Sequence, residues 1–168
     1  KQDLNAHVVD VGGLVPDMRD LLQRSLGAEI ELEMTVAEDV APALVDRNQL
    51  EMAILNLAVN SRDALDGTGT ICITVDEVDW DEPRDLEPGR YVRILVSDNG
   101  SGMDSATLSQ AMEPFFTTKG VGKGTGLGLS MVHGLAKQSG GTFIMESTLG
   151  EGTKASLLLP VAEQDAET

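Results

Sequence analysis

The sequence predicts an α/β fold, an α+β two-layer sandwich in which a mixed β-sheet is covered on one face by three main helices. Three observations predict it. Strand-like and helix-like patterns interleave along the chain, with some neighbouring strands separated by hairpin-length turns and others by helices, which is how a sheet of mixed strand direction is written. One long helical run, residues 48–65, carries an apolar side without a break. The hydrophobic content of 41% over 168 residues supports one domain with its own core and would be cramped for two.

The elements follow in order. Residues 7–15, HVVDVGGLV, open with a short strand. Residues 15–27 place Met18, Leu21, Leu22 and Leu26 at helical spacing and stop at Gly27. In residues 29–36, Ile30, Leu32, Met34 and Val36 alternate with polar residues, as in a half-buried strand. The helix at 48–65 follows, then strands at 70–78 and 90–98, a third helix at 126–139, and a closing hairpin in GTFIMESTLGEGTKASLLLP at 141–160. One domain over 1–162 and a disordered acidic tail at 163–168 are the expected organisation.

A net charge of −16, from 12 basic and 28 acidic residues, opposes binding to nucleic acid or to an anionic membrane. It also makes any phosphate site dependent on a metal and a few particular lysines. Much of the acid lies in residues 76–87 and in the tail, where a solvated loop and a frayed end are expected. No stretch approaches the ~20 apolar residues of a membrane span, and the first residues lack the plan of a signal peptide. Cys72 is the only cysteine, which rules out an internal disulfide and a cysteine-based zinc cluster; it reads as a small strand residue.

Three stretches carry chemistry. The first, GVGKGTGLGLSMVHGLAKQSGG at 120–141, is a glycine loop that feeds a helix. It is not a Walker loop, because Lys123 is followed by Gly124 rather than by Ser or Thr, and it lacks the strand and spacing of a dinucleotide fingerprint. Two readings remain on these residues alone, a flexible approach to an amphipathic helix or a backbone that meets an anion with free N–H groups. The second is the long helix, where Leu50, Ile54, Leu57, Ala64 and Leu65 form the apolar side and Glu51 and Arg62 point to solvent. Asn56, Asn60 and Asp63 form a polar stripe at i, i+4 and i+7, fit either to tie the helix to neighbouring backbone or to present amide oxygens to a metal-bound phosphate chain. The third is SDNGSGM at 97–103, a carboxylate at a strand end followed by two spaced glycines that let backbone approach a flat ligand.

Together these motifs resemble a known family. NLAVN at 56–60, DNGSG at 98–102, EPFF at 113–116, GKGTGLGL at 122–129 and GEGT at 150–153 are similar, in order, to the N box, first glycine box, F box and second and third glycine boxes of bacterial sensor histidine kinases. The resemblance covers about residues 50–160. It implies the Bergerat ATP-binding fold shared by gyrase, Hsp90, MutL and histidine kinases, with ATP held between helices under a mobile lid.

Carried onto this chain, the resemblance implies that Asp98 accepts a hydrogen bond from the adenine amino group and that Thr153 supports the same water-bridged network. Gly100, Gly102 and Met103 would line the base pocket. Asn60 would ligate Mg²⁺, with Asn56 facing the phosphates one turn earlier. Gly124, Thr125, Gly126, Leu127 and Gly128 would form the lid backbone, Leu127 and Leu129 would dock the lid helix, and Phe115 and Phe116 would anchor its other root. Two departures stand out: Asp63 and Thr117 occupy positions where many relatives carry a basic residue. Asp63 stays within the implied ATP-binding set, and phosphate neutralisation would pass to Lys119 and Lys123.

Hydrolytic relatives carry a glutamate four residues before the metal asparagine, and here that position is Asn56, an amide that cannot activate water. The resemblance therefore implies the catalytic domain of a cytoplasmic two-component sensor kinase, monomeric in isolation. It would use ATP and Mg²⁺ to phosphorylate a histidine on a separate dimerisation domain, with a response regulator or receiver domain downstream. The relatives' acceptor is a histidine followed by Glu or Asp; His7 precedes Val8 and His133 precedes Gly134, so neither fits. A regulatory nucleotide-binding pseudokinase and a hydrolytic ATPase of the same fold remain alternatives; Asn60 and the lid oppose the first, and the missing glutamate opposes the second.

Overall fold

The computed structural model describes residues 6–65, 68–81, 86–100 and 127–162. Strand β1 (Ala6–Val9) leads into helix α1 (Val11–Asp17), helix α2 (Arg19–Leu26), strand β2 (Ile30–Val36), strand β3 (Ala43–Asp46) and helix α3 (Arg47–Ala64). Strands β4 (Gly69–Trp80) and β5 (Gly89–Asp98), helix α4 (Leu127–Gln138) and strands β6 (Thr142–Thr148) and β7 (Gly152–Pro160) complete the order.

The main sheet has five strands in the order β2-β4-β5-β7-β6. β2 runs parallel to β4, and the remaining neighbours are antiparallel, which is the mixed sheet expected from the sequence. Its helix-facing side is apolar. Ile73, Val75, Ile94, Val96, Leu157 and Leu159 pack there against Leu50, Ile54 and Leu57 of α3 and Val132 and Leu135 of α4, all nearly or fully buried. Burying side chains of this size contributes roughly 1.5–3 kcal/mol each, which is what holds the two layers together.

Local chemistry fixes the helix ends. Asp46 caps α3 by accepting from Gln49 N at 3.1 Å, and Asp10 caps α1 by accepting from Gly13 N at 3.2 Å. Gly27, at φ +91°, ends α2. Gly140, at φ +81°, and the bond from Gly141 N to Ala136 O, 2.8 Å, end α4 in a Schellman-type stop.

The structure departs from the sequence expectation in four places. The first helical segment is two helices that break at Met18, with α1 starting at Val11, where Asp10 caps the first turn. Leu21 turns outward, 43% exposed, while Met18, Leu22 and Leu26 are buried. β3 is an addition to the expected elements; it has four residues and pairs antiparallel with β1. β4 runs to Trp80, two residues past its expected end at 78 and into the acidic stretch expected as loop, since cations on β5 neutralise it. The Arg93 guanidinium donates to both Asp76 carboxylate oxygens at 2.9 and 2.6 Å, and Arg90 meets Glu77 at 2.7 Å and Asp79 at 3.3 Å.

On the opposite side of the sheet a second cluster joins Leu86, Tyr91 and Leu158 with Val78, Trp80 and Ile144. Cys72 lies in β4, half-buried, with its thiol 3.3 Å from the Glu33 carboxylate.

Candidate nucleotide site

Strand register assembles the polar end of the sheet. Three rows of side chains span all five strands on its helix-facing side. Val36, Val75, Ile94, Leu157 and Phe143 form one row, and Met34, Ile73, Val96, Ala155 and Met145 form the next. Both rows are entirely apolar. The third row reads Leu32, Ile71, Asp98, Thr153, Ser147, so three polar groups stand on three adjacent strands at the rim of an apolar face. Side chains directly opposite on neighbouring strands lie within ~5.5 Å at Cβ, close enough to act together.

Asp98 is half-buried at the end of β5, and its carboxylate accepts from Gly100 N at 2.9 Å, which closes an Asx turn at 98–100. Thr153 is buried at 9% exposure, and its hydroxyl lies 2.8 Å from that of Ser147. Gly152 lets β7 come against this turn: at φ +101°, a Cβ there would sit 2.0 Å from the Asp98 carbonyl oxygen. A second close approach braces the same corner. Asn99 Oδ1 accepts from Thr70 N at 3.1 Å, and Gly69 leaves no room for a Cβ between Leu65 and Asn99.

Helix α3 supplies the other wall. Asn56 and Asn60 are both half-buried, and Asn56 donates through Nδ2 to Met131 Sδ of α4 at 3.8 Å, which joins the asparagine stripe to the lid-side helix. Asp63 is half-buried and accepts from Arg62 at 3.1 and 3.3 Å. Arg62 is not simply solvated as expected: its other guanidinium nitrogen donates to Ser25 O at 2.7 Å, pinning α3 to the end of α2. That guanidinium is thus committed to structural contacts. Leu129 is half-buried and packs against the main core.

The structure therefore pairs Asp98 with Thr153 and ties Asn56 to the helix after the glycine loop. Gly102, Met103, Phe115, Phe116, Lys119, Lys123, Gly124, Thr125 and Gly126 lie outside the described residues. Leu127 and Gly128 open α4, and only their backbone is described. Sequence reasoning misses Ser147 and Met131. The hairpin pattern held the signal for Ser147, because a three-residue turn at 149–151 sets Thr148 against Gly152 and hence Ser147 against Thr153.

A carboxylate in register beside a buried hydroxyl fits a base bearing an amino group. A magnesium ion carrying nucleotide phosphates would need one hard amide oxygen from the protein, and Asn60 is the residue of α3 that would supply it. Among the described residues no cluster of three His, Cys, Asp or Glu could hold a metal by itself.

Sheet order, helix layer and site together define a Bergerat-type ATP-binding catalytic domain. The chain belongs to the histidine kinase-, DNA gyrase B- and HSP90-like ATPase family, whose model matches residues 45–163. It is 41% identical over 165 residues to the sensor kinase CckA of Brucella abortus (strain 2308), covering 95% of this chain and 18% of that one. It is 33% identical over 159 residues to the sensor histidine kinase ZraS of Escherichia coli (strain K12), covering 94% of this chain and 32% of that one. Among solved structures, full-length ShkA in complex with AMPPNP superposes with a TM-score of 0.77 at 25% identity, over 98% of this chain and 33% of that one. The chain thus spans between about a fifth and a third of these relatives. Among the described residues, no helix is long and apolar enough to cross a membrane.

Proposed function

We propose that this domain binds Mg-ATP and transfers its γ-phosphoryl group to a histidine on a separate dimerisation domain of the same kinase, on the cytoplasmic side where ATP is held, with a response regulator as the next acceptor. Asp98 accepts from the adenine amino group, and Thr153 supports the same network, while Gly100, Gly102 and Met103 line the base. Asn60 offers its amide oxygen to Mg²⁺, whose charge offsets that of the triphosphate. Asn56 and Asp63 lie along the phosphate side of α3, and Lys119 and Lys123 supply cations to the phosphates in a strongly acidic chain. The backbone of Gly124, Thr125, Gly126, Leu127 and Gly128 covers the phosphates, and Leu129 keeps the following helix seated on the core.

In the transfer, the bond between the γ-phosphorus and the β,γ-bridging oxygen breaks, ADP leaves with that electron pair, and the acceptor imidazole forms the new nitrogen–phosphorus bond and loses its proton. One observation carries transfer over hydrolysis. Position 56 holds an amide, with its NH₂ turned to Met131 Sδ, where a base would be needed to activate water.

Incubating the chain with γ-labelled ATP, alone and with the histidine-bearing domain of the same kinase, tests the reading. The expected result is Mg-ATP binding with marginal hydrolysis, no label on His7 or His133, and label on the partner's histidine. Brisk hydrolysis without acceptor would establish the ATPase alternative. Tight binding with no transfer would establish the regulatory module.

A further inference from the structure

The geometry points to Ser147 as a positioning residue for base selectivity, one that fixes the direction of the Thr153 hydroxyl so that it presents an acceptor beside the Asp98 carboxylate. Ser147 Oγ donates to the Gly152 carbonyl at 3.1 Å and lies 2.8 Å from Thr153 Oγ1. A serine hydroxyl has one proton and two lone pairs. With that proton given to Gly152, Ser147 accepts in the shorter contact, so Thr153 is its donor. The lone pairs of Thr153 are then left for the site, in register beside the Asp98 carboxylate.

Two neighbouring acceptors match an exocyclic amino group, which has two protons to give. They oppose a carbonyl at the same position of the base, which would set acceptor against acceptor. A threonine hydroxyl free to rotate would turn its proton toward such a carbonyl and relieve the conflict. The Ser147 hydroxyl removes that freedom, and the peptide it holds is that of Gly152, the residue whose close approach seats β7 against the Asp98 turn. One side chain therefore sets both the polarity of Thr153 and the seating of its strand.

The inference rests on the adenine reading of Asp98, and the experiment separates the two. Affinities of the chain for ATP, for inosine triphosphate, which carries a carbonyl in place of the amino group and a proton on N1, and for purine riboside triphosphate, which lacks the amino group and leaves N1 unprotonated, are measured by calorimetry for wild type, Ser147→Ala, Ser147→Thr and Asp98→Asn. Ser147→Ala should weaken ATP about three- to ten-fold, the range for one neutral hydrogen bond, while leaving purine riboside triphosphate unchanged and inosine triphosphate unchanged or tighter. Ser147→Thr keeps the hydroxyl on a β-branched side chain suited to a strand and should restore the wild-type ratio, which a merely structural defect at this site would not produce. If Asp98→Asn loses ATP while Ser147→Ala and Ser147→Thr both keep the wild-type ratio, the positioning role is overturned and the adenine reading stands. If Asp98→Asn keeps wild-type ATP affinity, the adenine reading fails and this inference with it.

Discussion

Gly152→Ala probes the corner on which the site is built, and its expected cost follows from two separable terms. The first is conformational: at φ +101° an L-residue is strained by ~1–2 kcal/mol. The second is steric. The new Cβ would sit 2.0 Å from the Asp98 carbonyl oxygen, 3.0 Å from its carbon and 3.2 Å from Asn99 Cα, whereas even a close carbon–oxygen contact is ~3.3 Å. The strand must therefore move by more than about 1 Å, and overpacking of this kind costs ~1–3 kcal/mol. Gly150→Ala is the control, because Gly150 has φ +82° but nothing within 4 Å of a Cβ, so only the first term applies. Urea unfolding should show about 2–5 kcal/mol lost for Gly152→Ala against about 1–2 for Gly150→Ala. Because the displaced atoms are backbone of Asp98, calorimetry should show ATP affinity falling for the first variant and not for the second. Equal destabilisation of the two variants, with ATP affinity intact in both, would refute the claim that this close approach holds Asp98 in place.

Three further outcomes are expected. Asp98→Asn keeps shape but can set a donor against the adenine amino group, so calorimetry should show ATP and ADP affinity both falling ten-fold or more, in line with the ~1–3 kcal/mol cost of an unsatisfied buried polar group. Asn60→Ala should lower Mg-dependent phosphorylation of the acceptor domain far more than it weakens metal-free nucleotide binding; equal turnover in wild type and variant would remove Asn60 from the metal site. The Arg90 guanidinium and the Ala41 N–H hold the Glu77 carboxyl below its ordinary value of 4.5. Its contribution to stability is therefore fully present above that value and lost as pH falls through the lower folded-state value. Glu77→Gln should lower the urea midpoint at neutral pH, with the difference from wild type closing only in strong acid.

The elements legible in the sequence were those whose partners do not matter to their pattern. α3 announces itself because Leu50, Ile54 and Leu57 repeat on one side and Asp46 stands at its start. β2 does so because apolar and polar residues alternate. β3 was not legible, since four residues are too few to show a period and ALVD becomes a strand only by pairing with β1. The end of β4 was misplaced by two residues for a related reason. Asp76, Glu77 and Asp79 oppose strand formation by local rules, and the arginines that neutralise them stand on the next strand, at Arg90 and Arg93. Their pairing is a property of register between β4 and β5, and register is not written in either strand alone.

The site divides along the same line, and this bears on which of its residues sequence can assign. Asp98 and Asn60 stand out as polar residues placed by helical spacing or at a strand end. Ser147 has no such mark: in ESTLGEGT it reads as one more hydroxyl before a turn. It joins the site because the turn at 149–151 fixes its pairing with Thr153, and β5 pairing then sets Thr153 against Asp98. Two successive registers thus separate Ser147 from the group that marks the site. The proton it gives to Gly152 sets the direction of the next bond in that row, so a residue two strands away from Asp98 can decide what the carboxylate's neighbour offers to a base. Selectivity of that kind resides in the row across the sheet, and no single motif along the chain contains it.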